Sequence, residues 1–315
     1  MSFAAMMLVA LALDLALGWP KALYDRIGHP VTWLGALITV LEQRWNTDRP
    51  ARRMRGTAAA LLVIGLAALV GLGLQLTLPS GLVGIVLGGA IAWPLVAMRS
   101  MHTHVVAVLH PLQDDDLPAA RQAVSMIVGR DPAQLDPAGV SRAALESLAE
   151  NTSDGIVAPL FWGAVLGLPG IAAYKAINTL DSMIGHKTVR YLEFGWASAR
   201  IDDLVNLIPA RLTGLIFALV SGRAKVSLTC MWRDARQHRS PNAGWPEAAM
   251  AGALAVRLSG PRMYGAEVTQ EPWVNSGAAD PGPADLRRGL GLYARSMVLL
   301  AISLCCIAIW TIWPL

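Results

Sequence analysis

The sequence predicts an all-α, polytopic integral membrane protein: a helical bundle with broken or re-entrant helices and with cytoplasmic helical and loop segments. Hydrophobic residues make up 54% of the 315 residues and charged residues only 15%, so the chain is more apolar than an average soluble domain. Residues 56–78 carry no charged side chain, and such a stretch is long enough to cross a bilayer as a helix. Polar residues inside other apolar stretches favour interrupted helices.

Four apolar stretches are predicted to span the membrane within a single integral membrane domain, residues 1–315. The first has no basic residue at its start and carries Asp14 near its end, which favours a retained helix over a signal peptide. Pro79 and Ser80 separate the two central stretches as a hairpin turn. The last stretch ends with Trp310 and Trp313, whose indole rings favour the boundary between lipid and water. The predicted spans are 1–17, 56–78, 81–98 and 297–313.

Two further apolar stretches are ambiguous as membrane segments. Residues 156–174 contain prolines and several glycines, and residues 204–220 contain Asn206, Pro209 and Arg211. Polar groups and helix breakers are tolerated at membrane depth only where protein or water surrounds them, so we expect broken or re-entrant helices here. The predicted polar loops are 99–155 and 221–292.

The basic residues indicate membrane orientation rather than nucleic-acid binding, because the net charge is only +4 and no continuous basic tract is present. By the positive-inside rule, the loops that carry them are cytoplasmic. This predicts a multi-pass protein of the bacterial inner membrane with its active loops in the cytoplasm. The residues are Arg44, Arg49, Arg52, Arg53 and Arg55 in one loop, and Arg223, Lys225, Arg233, Arg236 and Arg239 in the other.

Three carboxylates recur at intervals of four residues. On a continuous helix, Glu146, Glu150 and Asp154 would lie within about 80° of one another on one face. A divalent cation would relieve their repulsion, and Mg²⁺ prefers a few carboxylate oxygens together with water and substrate phosphates. Asn151 could add a neutral oxygen. The alternative is a solvated helix face paired with Arg142.

A second polar row follows the first ambiguous segment. Helical spacing aligns Lys175, Asn178 and Ser182, with Asp181 alongside. The lysine could hold a phosphate and the aspartate a metal ion. The alternative is a polar stripe that only caps neighbouring helices.

A third polar group, Asp202, Asp203 and Asn206, offers oxygen ligands a short distance before Arg211. An arginine in apolar surroundings needs a partner. That partner is either a phosphate or, as the structural alternative, one of the two aspartates in a buried salt bridge.

Residues 240–247 are turn-rich, and we expect a rigid loop rather than a helix. Such a loop would expose Asn242, Trp245 and Glu247 for binding.

Five ordered blocks contain the polar residues described above and one further motif near the start. The blocks are His29-Pro30-Val31-x-Trp33-x-Gly35; Glu146-Ser147-x-x-Glu150-Asn151-x-x-Asp154-Gly155; Lys175-x-x-Asn178-Thr179-x-Asp181-Ser182-Met183-x-Gly185; Asp202-Asp203-x-x-Asn206-x-x-Pro209-x-Arg211; and Ser240-Pro241-Asn242-Ala243-Gly244-x-Pro246-Glu247. Together they resemble the adenosylcobinamide-phosphate synthases, the CobD/CbiB membrane family of cobalamin biosynthesis, over nearly the whole chain. One departure is Trp19, where an aspartate is expected between Gly18 and Pro20.

The resemblance implies ATP-driven amide formation between a carboxylate of adenosylcobyric acid and the amine of aminopropanol phosphate, or of free aminopropanol. The product would be adenosylcobinamide phosphate or adenosylcobinamide. A carboxylate is a poor electrophile until it is phosphorylated, and Mg²⁺ with basic groups can offset the charge on a transferred phosphoryl group. The expected cofactor is Mg²⁺, with ATP as co-substrate. The chain would act in the bilayer, alone, as a homo-oligomer or with other enzymes of the pathway.

The resemblance and the residue types together suggest roles for individual side chains. We expect Trp245 and Tyr264 to line the corrinoid site. The predicted catalytic residues are Glu146, Glu150, Asn151, Asp154 and Asp181; the predicted substrate and phosphate ligands are Lys175, Asn178, Ser182, Arg211, Asn242 and Glu247; the predicted metal ligands are Glu150, Asp154, Asp181, Asp202 and Asp203.

Two other classes of function remain open. Broken apolar helices with internal polar groups also describe transporters, although no inverted repeat is visible. A membrane sensor without catalytic activity could use the same scaffold. Substrate-dependent ATP consumption would favour the enzyme, and solute accumulation without chemical change would favour the transporter.

Overall fold

The computed structural model describes the chain apart from residues 48–49, 130, 265–266 and 313–315, and it describes no side chains at 262–269 or 312. Arg49, Trp313 and the Tyr264 side chain, all used in the sequence interpretation, therefore lie outside the described part. Helices make up 76% of the chain, which confirms the predicted all-α class.

Most helices follow one another with short connections, and the longest connection joins α14 to α15. The first eight are α1 Phe3–Leu17, α2 Lys21–Ile27, α3 Pro30–Trp45, α4 Arg52–Thr77, α5 Gly81–Ala92, α6 Met98–Gln113, α7 Leu117–Ser125 and α8 Pro137–Thr152, with a 3₁₀ turn at Trp93–Leu95 before α6. A π-helical turn at Ser153–Val157 comes next. The remaining helices are α9 Ala158–Leu166, α10 Leu168–Ile184, α11 Trp196–Val205, α12 Leu207–Val220, α13 Ala224–Asp234, α14 Gly244–Leu254 and α15 Pro283–Ile312, with a 3₁₀ turn at Ala235–Gln237.

Four short strands lie between α14 and α15 in the described residues. They are β1 Leu258–Ser259, β2 Arg262–Tyr264, β3 Glu267–Thr269 and β4 Trp273–Val274. β1 pairs antiparallel with β4, so that Leu258 lies opposite Val274. β2 and β3 form a separate antiparallel pair.

Polar side chains and prolines fix several helix starts. The Asp136 carboxylate accepts a hydrogen bond from the Gly139 N–H at 2.7 Å, and Pro137 occupies a first-turn position where no N–H is needed. At α3, the His29 ring and the Thr32 hydroxyl form a reciprocal capping box. These caps satisfy N–H groups that have no partner within their own helix.

Within the described residues, three helical segments are long and apolar enough to cross a membrane, or up to five if two bent helix pairs each count as one span. The three are Arg52–Thr77, Gly81–Gln113 and Pro283–Thr311, which overlap the predicted spans 56–78, 81–98 and 297–313. The predicted span 1–17 corresponds to α1, the first half of a pair bent by 108°. Large apolar side chains such as Leu69 and Leu76 are exposed along α4, as expected of a helix that faces lipid.

The chain forms two compact units. The first unit contains Met1–Ala97, Ala158–Asn206 and Ala301–Leu315. Its core is built where α3, α4 and α10 pack together, with Val63, Leu180 and Phe194 almost completely buried. The second unit contains Met98–Val157 and Leu207–Leu300.

Glycine allows α4 and α10 of the first unit to approach closely. A Cβ atom at Gly71 would lie 2.7 Å from the Leu168 carbonyl oxygen and 2.8 Å from Pro169 Cα. Such contacts are too short for real Cβ atoms, so the two backbones can meet here only because the side chain is absent.

The interruption predicted within residues 156–174 falls at Gly167, between α9 and α10. Gly167 has φ +72°, a conformation that favours glycine. The Gln75 side-chain oxygen accepts a hydrogen bond from the Leu168 N–H at 2.8 Å. A polar residue within an apolar span thus satisfies the first N–H of α10. The stretch 204–220 is also interrupted, at Asn206 between α11 and α12.

The second unit is centred on α8 and α14, and every residue of α14 is buried. The Ser227 hydroxyl of α13 donates to the Ala249 carbonyl at 2.6 Å. Asp234, at the end of α13, accepts hydrogen bonds from Arg233 and from the Asn275 N–H. Burial acts to raise the pKa of Asp234, but these hydrogen bonds outweigh it and hold the pKa below its ordinary value.

The close approach at Gly71 yields a stability test. We expect Gly71→Ala to destabilise the protein by about 1–3 kcal/mol, because α4 and α10 must separate to admit the methyl group. Gly73→Ala on the same helix is the matched control, since a Cβ there meets nothing within 4 Å. Thermal unfolding in detergent, followed by tryptophan fluorescence, would compare the two variants. Equal unfolding midpoints would contradict the proposed packing.

Candidate functional site

The predicted site residues fall into two groups, one in each unit. Residues of α10 and α11 belong to the first unit, and residues of α8, the π-helical turn, α12 and α14 belong to the second. Of the predicted metal ligands, Asp181, Asp202 and Asp203 lie in the first unit, whereas Glu150 and Asp154 lie in the second.

In the first unit, the predicted polar row on α10 is helical. Lys175, Asn178 and Asp181 are half-buried, whereas Ser182 is exposed. The Ser182 hydroxyl donates to the Asn178 carbonyl at 2.8 Å, so it folds back along its own helix. Lys175, Asn178 and Asp181 are therefore the partly shielded members of the row.

Asp181 lies near a second carboxylate. Burial raises the pKa of Asp181 above its ordinary value, and the negative charge of Asp203 raises it further, while His186 acts in the opposite direction. The position of the Asp181 carboxylate depends on Gly185, because it fills the space that a Cβ at that residue would need. Two repelling carboxylates, one of them half-buried, form a donor set that fits Mg²⁺.

Asp202 and Asp203 have different surroundings although they are neighbours in sequence. Asp202 accepts a hydrogen bond from the Asn206 side-chain amide at 3.0 Å, and the Tyr174 hydroxyl donates to the Asn206 side-chain oxygen at 2.9 Å. Asp203 forms an ion pair with Arg200 at 3.0 Å. Asp202 is thus part of a hydrogen-bond network with Asn206, which is 1% exposed. Asp203 is the aspartate whose negative charge raises the pKa of Asp181.

The structure adds His29, which was not among the predicted site residues. The His29 Nδ1 atom accepts a hydrogen bond from the Val31 N–H at 3.2 Å, so the proton of the neutral ring is on Nε2. His29 is also close enough to Lys175 for an electrostatic interaction. His29 belongs to one of the five blocks that carry the family resemblance, and that block is the sequence signal that could have identified it. Nothing in the sequence predicts that His29 lies near Lys175.

An apolar cavity of about 600 Å³ also lies in the first unit. Trp19, Trp33 and Trp93 line it, together with aliphatic side chains of α4, α5 and α10, and none of its described lining residues is charged. The cavity therefore lacks groups that could hold a phosphate. Trp19 replaces the aspartate expected from the family pattern, and its ring meets the His29 ring edge-on, with centroids 5.0 Å apart.

In the second unit, Glu146 is buried and accepts a hydrogen bond from the Ser259 N–H at 2.7 Å. Glu150 is exposed, and Asn151 and Asp154 are half-buried. The Asn151 amide donates to the Ser147 carbonyl at 2.9 Å. Glu146 thus holds the backbone of β1, while Glu150 and Asp154 are the more accessible carboxylates of the group.

The expectation of one continuous α-helix through these carboxylates is wrong. The α-helix ends at Thr152, and Asp154 lies in the π-helical turn Ser153–Val157. A π turn has more residues per turn than an α turn, so Asp154 is rotated away from the position that i, i+4 spacing predicts. Such turns are frequent at functional sites.

The alternative interpretation of the α8 carboxylates, a solvated helix face paired with Arg142, is wrong about the partner of Arg142. It forms an ion pair with Asp280, and its guanidinium lies 4.7 Å from the centre of the Trp273 ring. Arg257 binds the same carboxylate at 2.9 and 2.5 Å and lies 4.2 Å from the same ring. Hydrogen bonds from Arg257 lower the pKa of Asp280 to about 2, and Arg142 contributes to the shift.

The prediction of a rigid, exposed loop at residues 240–247 is wrong in part. α14 begins at Gly244, and its first turn contains Trp245, Pro246 and Glu247, all of them buried. Proline is compatible with a first turn because the N–H it lacks would have no helical partner there. Asn242 is also buried, and Glu247 lies 3.6 Å from the buried His238 Nε2 atom.

Arg211 of α12 is half-buried and stacks on Trp245, with 4.3 Å between the guanidinium carbon and the ring centre. One Arg211 N–H donates to the Leu207 carbonyl at 2.7 Å. No carboxylate forms an ion pair with Arg211 among the described residues of its unit. Arg236, which the sequence interpretation assigned only to a basic loop, is close enough to repel it.

Among the described residues, no group of three or more His, Cys, Asp or Glu side chains is placed to hold a metal ion. Mg²⁺ commonly takes only one or two carboxylates and completes its shell with water and substrate phosphates. In the first unit, Asp181 and Asp203 are two carboxylates of which the second acts electrostatically on the first.

These features define an all-α membrane protein with interrupted helices and polar side chains gathered at the interruptions. The chain belongs to the CobD/CbiB family, because the family described as CobD/Cbib protein matches residues 7–293. A cobalamin biosynthesis protein CobD of Rhodobacter capsulatus is 68% identical over 313 residues, 99% of this chain and 100% of the relative.

Other relatives with the same name are more distant. That of Brucella suis is 48% identical over 305 residues, 93% of each chain. That of Sinorhizobium fredii is 45% identical over 309 residues, 94% of each chain. No solved structure matches the chain.

The Asp280 cluster yields a pH-dependent stability prediction. We expect Asp280→Asn to lower the free energy of unfolding at pH 7 by about 1 kcal/mol or less, as for other partly exposed ion pairs. Because the folded pKa of about 2 lies below the ordinary value, the contribution is complete above about pH 4 and is lost as the pH falls towards 2.

Unfolding midpoints of wild type and variant should therefore differ at pH 7 and converge in acid. Asp114→Asn, at an exposed position in a turn, is the control and should match wild type throughout. A difference between Asp280→Asn and wild type that persists unchanged at pH 2 would contradict the prediction.

Proposed function

We propose that the protein is an ATP-dependent acid–amine ligase of cobalamin biosynthesis, joining adenosylcobyric acid to aminopropanol phosphate or aminopropanol. The relatives' names support the pathway. The observation that carries the chemistry is the half-buried Asp181 beside Asp203, on the same helix as Lys175, because this combines carboxylates for a metal–phosphate complex with a cation for the phosphate.

The proposed reaction has two steps, formation of an acyl phosphate and formation of the amide. A corrinoid carboxylate oxygen attacks the γ-phosphorus of ATP, which forms an acyl phosphate and releases ADP. The amine nitrogen then attacks the acyl carbon, the carbon–oxygen bond to phosphate breaks, and the nitrogen loses a proton. Adenosylcobinamide phosphate, or adenosylcobinamide from the free amine, is released together with inorganic phosphate.

The first unit supplies groups for the phosphoryl transfer. Asp181 and Asp203 would hold Mg²⁺, which supplies charge neutralisation on the phosphates when it is bound. Lys175 binds a phosphate oxygen as a point charge, and the Asn178 amide donates a hydrogen bond. Asp202, within the Asn206 network, fixes the backbone next to Asp203.

The second unit carries candidate polar groups of its own. Glu150 and Asp154 are its accessible carboxylates, and either can accept a proton. Glu146 holds β1 against α8 by accepting a hydrogen bond from the Ser259 N–H, and Asn151 donates to the Ser147 carbonyl of α8. Arg211 binds phosphate.

Asn242 and Glu247 were predicted as direct substrate ligands, but both are buried at the start of α14. In the proposal they act by holding that helix start, together with His238. The cytoplasmic side of the inner membrane is the proposed location of the site, since ATP is available there.

Mass spectrometry tests this function directly. Purified protein is incubated with adenosylcobyric acid, aminopropanol phosphate, Mg²⁺ and ATP, and each component is omitted in turn. The proposal predicts an amide product and ADP only in the complete mixture. Unchanged substrates with verified folded protein would contradict it, and accumulation of unmodified solute in sealed vesicles would favour a transporter.

Gly185→Ala tests the role of Asp181 without altering a charged residue. Gly185 has φ −76°, which alanine can adopt, but a Cβ there would displace the Asp181 carboxylate and would lie 2.7 Å from the Asp181 carbonyl oxygen. Displacement of a catalytic group by about 1 Å can reduce turnover by about 100-fold. We expect a loss of that order in the rate of amide formation. The unfolding midpoint of the same variant reports separately the strain from the carbonyl contact.

The control for this variant is Gly291→Ala, where a Cβ meets nothing within 4 Å. It should retain wild-type turnover. If Gly185→Ala is as active as Gly291→Ala, Asp181 is not a catalytic or metal-binding residue.

A further inference from the structure

Two arginines of the second unit, Arg211 and Arg236, lie near the start of α14: Arg211 contacts Trp245, and Arg236 is in the 3₁₀ turn that packs against this helix. Arg236 is close enough for its charge to act unfavourably on the Arg211 guanidinium. Like charges at short range destabilise a fold unless an anion lies between them or nearby.

Two arginines near Arg236 in the sequence have carboxylate partners. Arg233 binds Asp234 at 2.7 Å, and Arg239 pairs with Glu271 at 3.4 Å. No ion pair joins Arg236 to a carboxylate among the described residues of the second unit.

The nearest acidic residue of the adjoining helix is also engaged. Glu247, in the first turn of α14, lies against His238 at 3.6 Å and is 2% exposed. It is thus buried beside a histidine.

The structure holds Arg211 in a fixed orientation. Its guanidinium stacks on the Trp245 ring at 4.3 Å, and one N–H is bonded to the Leu207 carbonyl at 2.7 Å. A stacked guanidinium keeps its in-plane N–H donors free for an oxyanion, and its planar fork matches two phosphate oxygens. Trp245 is itself fixed, because its indole N–H donates to the Pro241 carbonyl at 3.1 Å.

Arg236 lies beside the same helix start. It lies in the 3₁₀ turn Ala235–Gln237, which packs against α14. A Cβ at Gly244 would lie 2.4 Å from the Ala235 carbonyl oxygen, so the turn and the helix start are in direct contact. Arg236 is exposed and can adjust to a ligand, whereas Arg211 is preorganised.

We infer that Arg211 and Arg236 form a two-guanidinium site for the phosphomonoester of the amine substrate. This rests on the proposed function. Such a group carries close to two negative charges at neutral pH and offers three oxygens, which suits two guanidinium groups at once. Arg236 is a binding residue for this phosphate, and Trp245 is a positioning residue that holds Arg211.

Calorimetric titration of the full-length protein in detergent tests this site without turnover. The ligands are 1-aminopropan-2-yl phosphate, free aminopropanol, ATP and inorganic phosphate, and nanodiscs with and without phosphatidylglycerol test a lipid headgroup. Arg236→Gln is the principal variant because the exposed side chain can be replaced without disturbing the fold. Arg287→Gln, which removes an exposed arginine of the same unit, is the control.

We expect Arg236→Gln to weaken aminopropanol phosphate binding about 10- to 100-fold, the usual loss for a charge-assisted hydrogen bond. Binding of ATP and free aminopropanol should not change. Arg236→Lys should recover part of the affinity, because it restores charge but not the planar fork. Trp245→Phe should weaken the same ligand and leave ATP unaffected.

Other results would overturn the inference. A loss of ATP affinity alone would assign the pair to the nucleotide, and loss of phosphatidylglycerol dependence alone would assign it to lipid. Equal binding by Arg236→Gln and Arg287→Gln would remove Arg236 from any phosphate site.

The same titrations separate this inference from the proposed function. Wild-type protein that binds aminopropanol phosphate through Arg236 but makes no amide would retain the site and refute the ligase. Active protein whose affinity and KM for the phosphorylated amine do not depend on Arg236 would retain the ligase and refute the site.

Discussion

The hydrogen-bonded side chain of Asn206 is the contact on which the first unit's polar site depends. Asn206 is 1% exposed, accepts from the Tyr174 hydroxyl at 2.9 Å and donates to Asp202 at 3.0 Å. A buried amide without partners would cost about 1–3 kcal/mol for each unmet group, so this network fixes where α11 ends. Asp203 is the residue after Asp202 in α11, and its negative charge raises the pKa of Asp181 of α10.

Glycines leave space for the groups around this polar site, because they have no side chain where another group lies. The Asp181 carboxylate occupies the space beside Gly185, and α10 itself is brought against α4 at Gly71. Gln75 then satisfies the first N–H of α10. Helix breaks, glycine contacts and buried amides therefore act together to place charged groups within an apolar unit at low cost.

Much of the fold could be predicted from the sequence, because a long apolar stretch without charged residues by itself indicates a membrane span. The spans on α4, α5 and α15 could be predicted without tertiary information. Prolines, glycines and polar residues predicted interrupted helices within 156–174 and 204–220, and the structure places the interruptions at Gly167 and Asn206. The start of α14 was missed because its proline and glycine resemble a turn when burial is unknown. The π-helical turn at Asp154 was missed because nothing in residue spacing distinguishes it from an α turn.

The site was predictable in its residue types and less so in its contacts. Carboxylates at helical spacing indicated metal and phosphate chemistry, but only the structure separates the buried Glu146 from the exposed Glu150. His29 and Arg236 were missed for a common reason. Each is significant through a partner, Lys175 or Arg211, that is distant in sequence, and side chains on separate elements leave no periodic signal.

The central claim is that Asp181 and Asp203 together hold a divalent cation, and affinity cleavage tests it most directly. Fe²⁺ replaces Mg²⁺ in the presence of ATP, ascorbate starts hydroxyl-radical cleavage, and mass spectrometry locates the cuts. The account predicts cuts beside Asp181 and beside Asp203 in wild type and in the exposed-carboxylate control Glu193→Gln, and their loss in Asp181→Asn and Asp203→Asn. Cuts elsewhere in the chain, or an unchanged pattern in both aspartate variants, would contradict it.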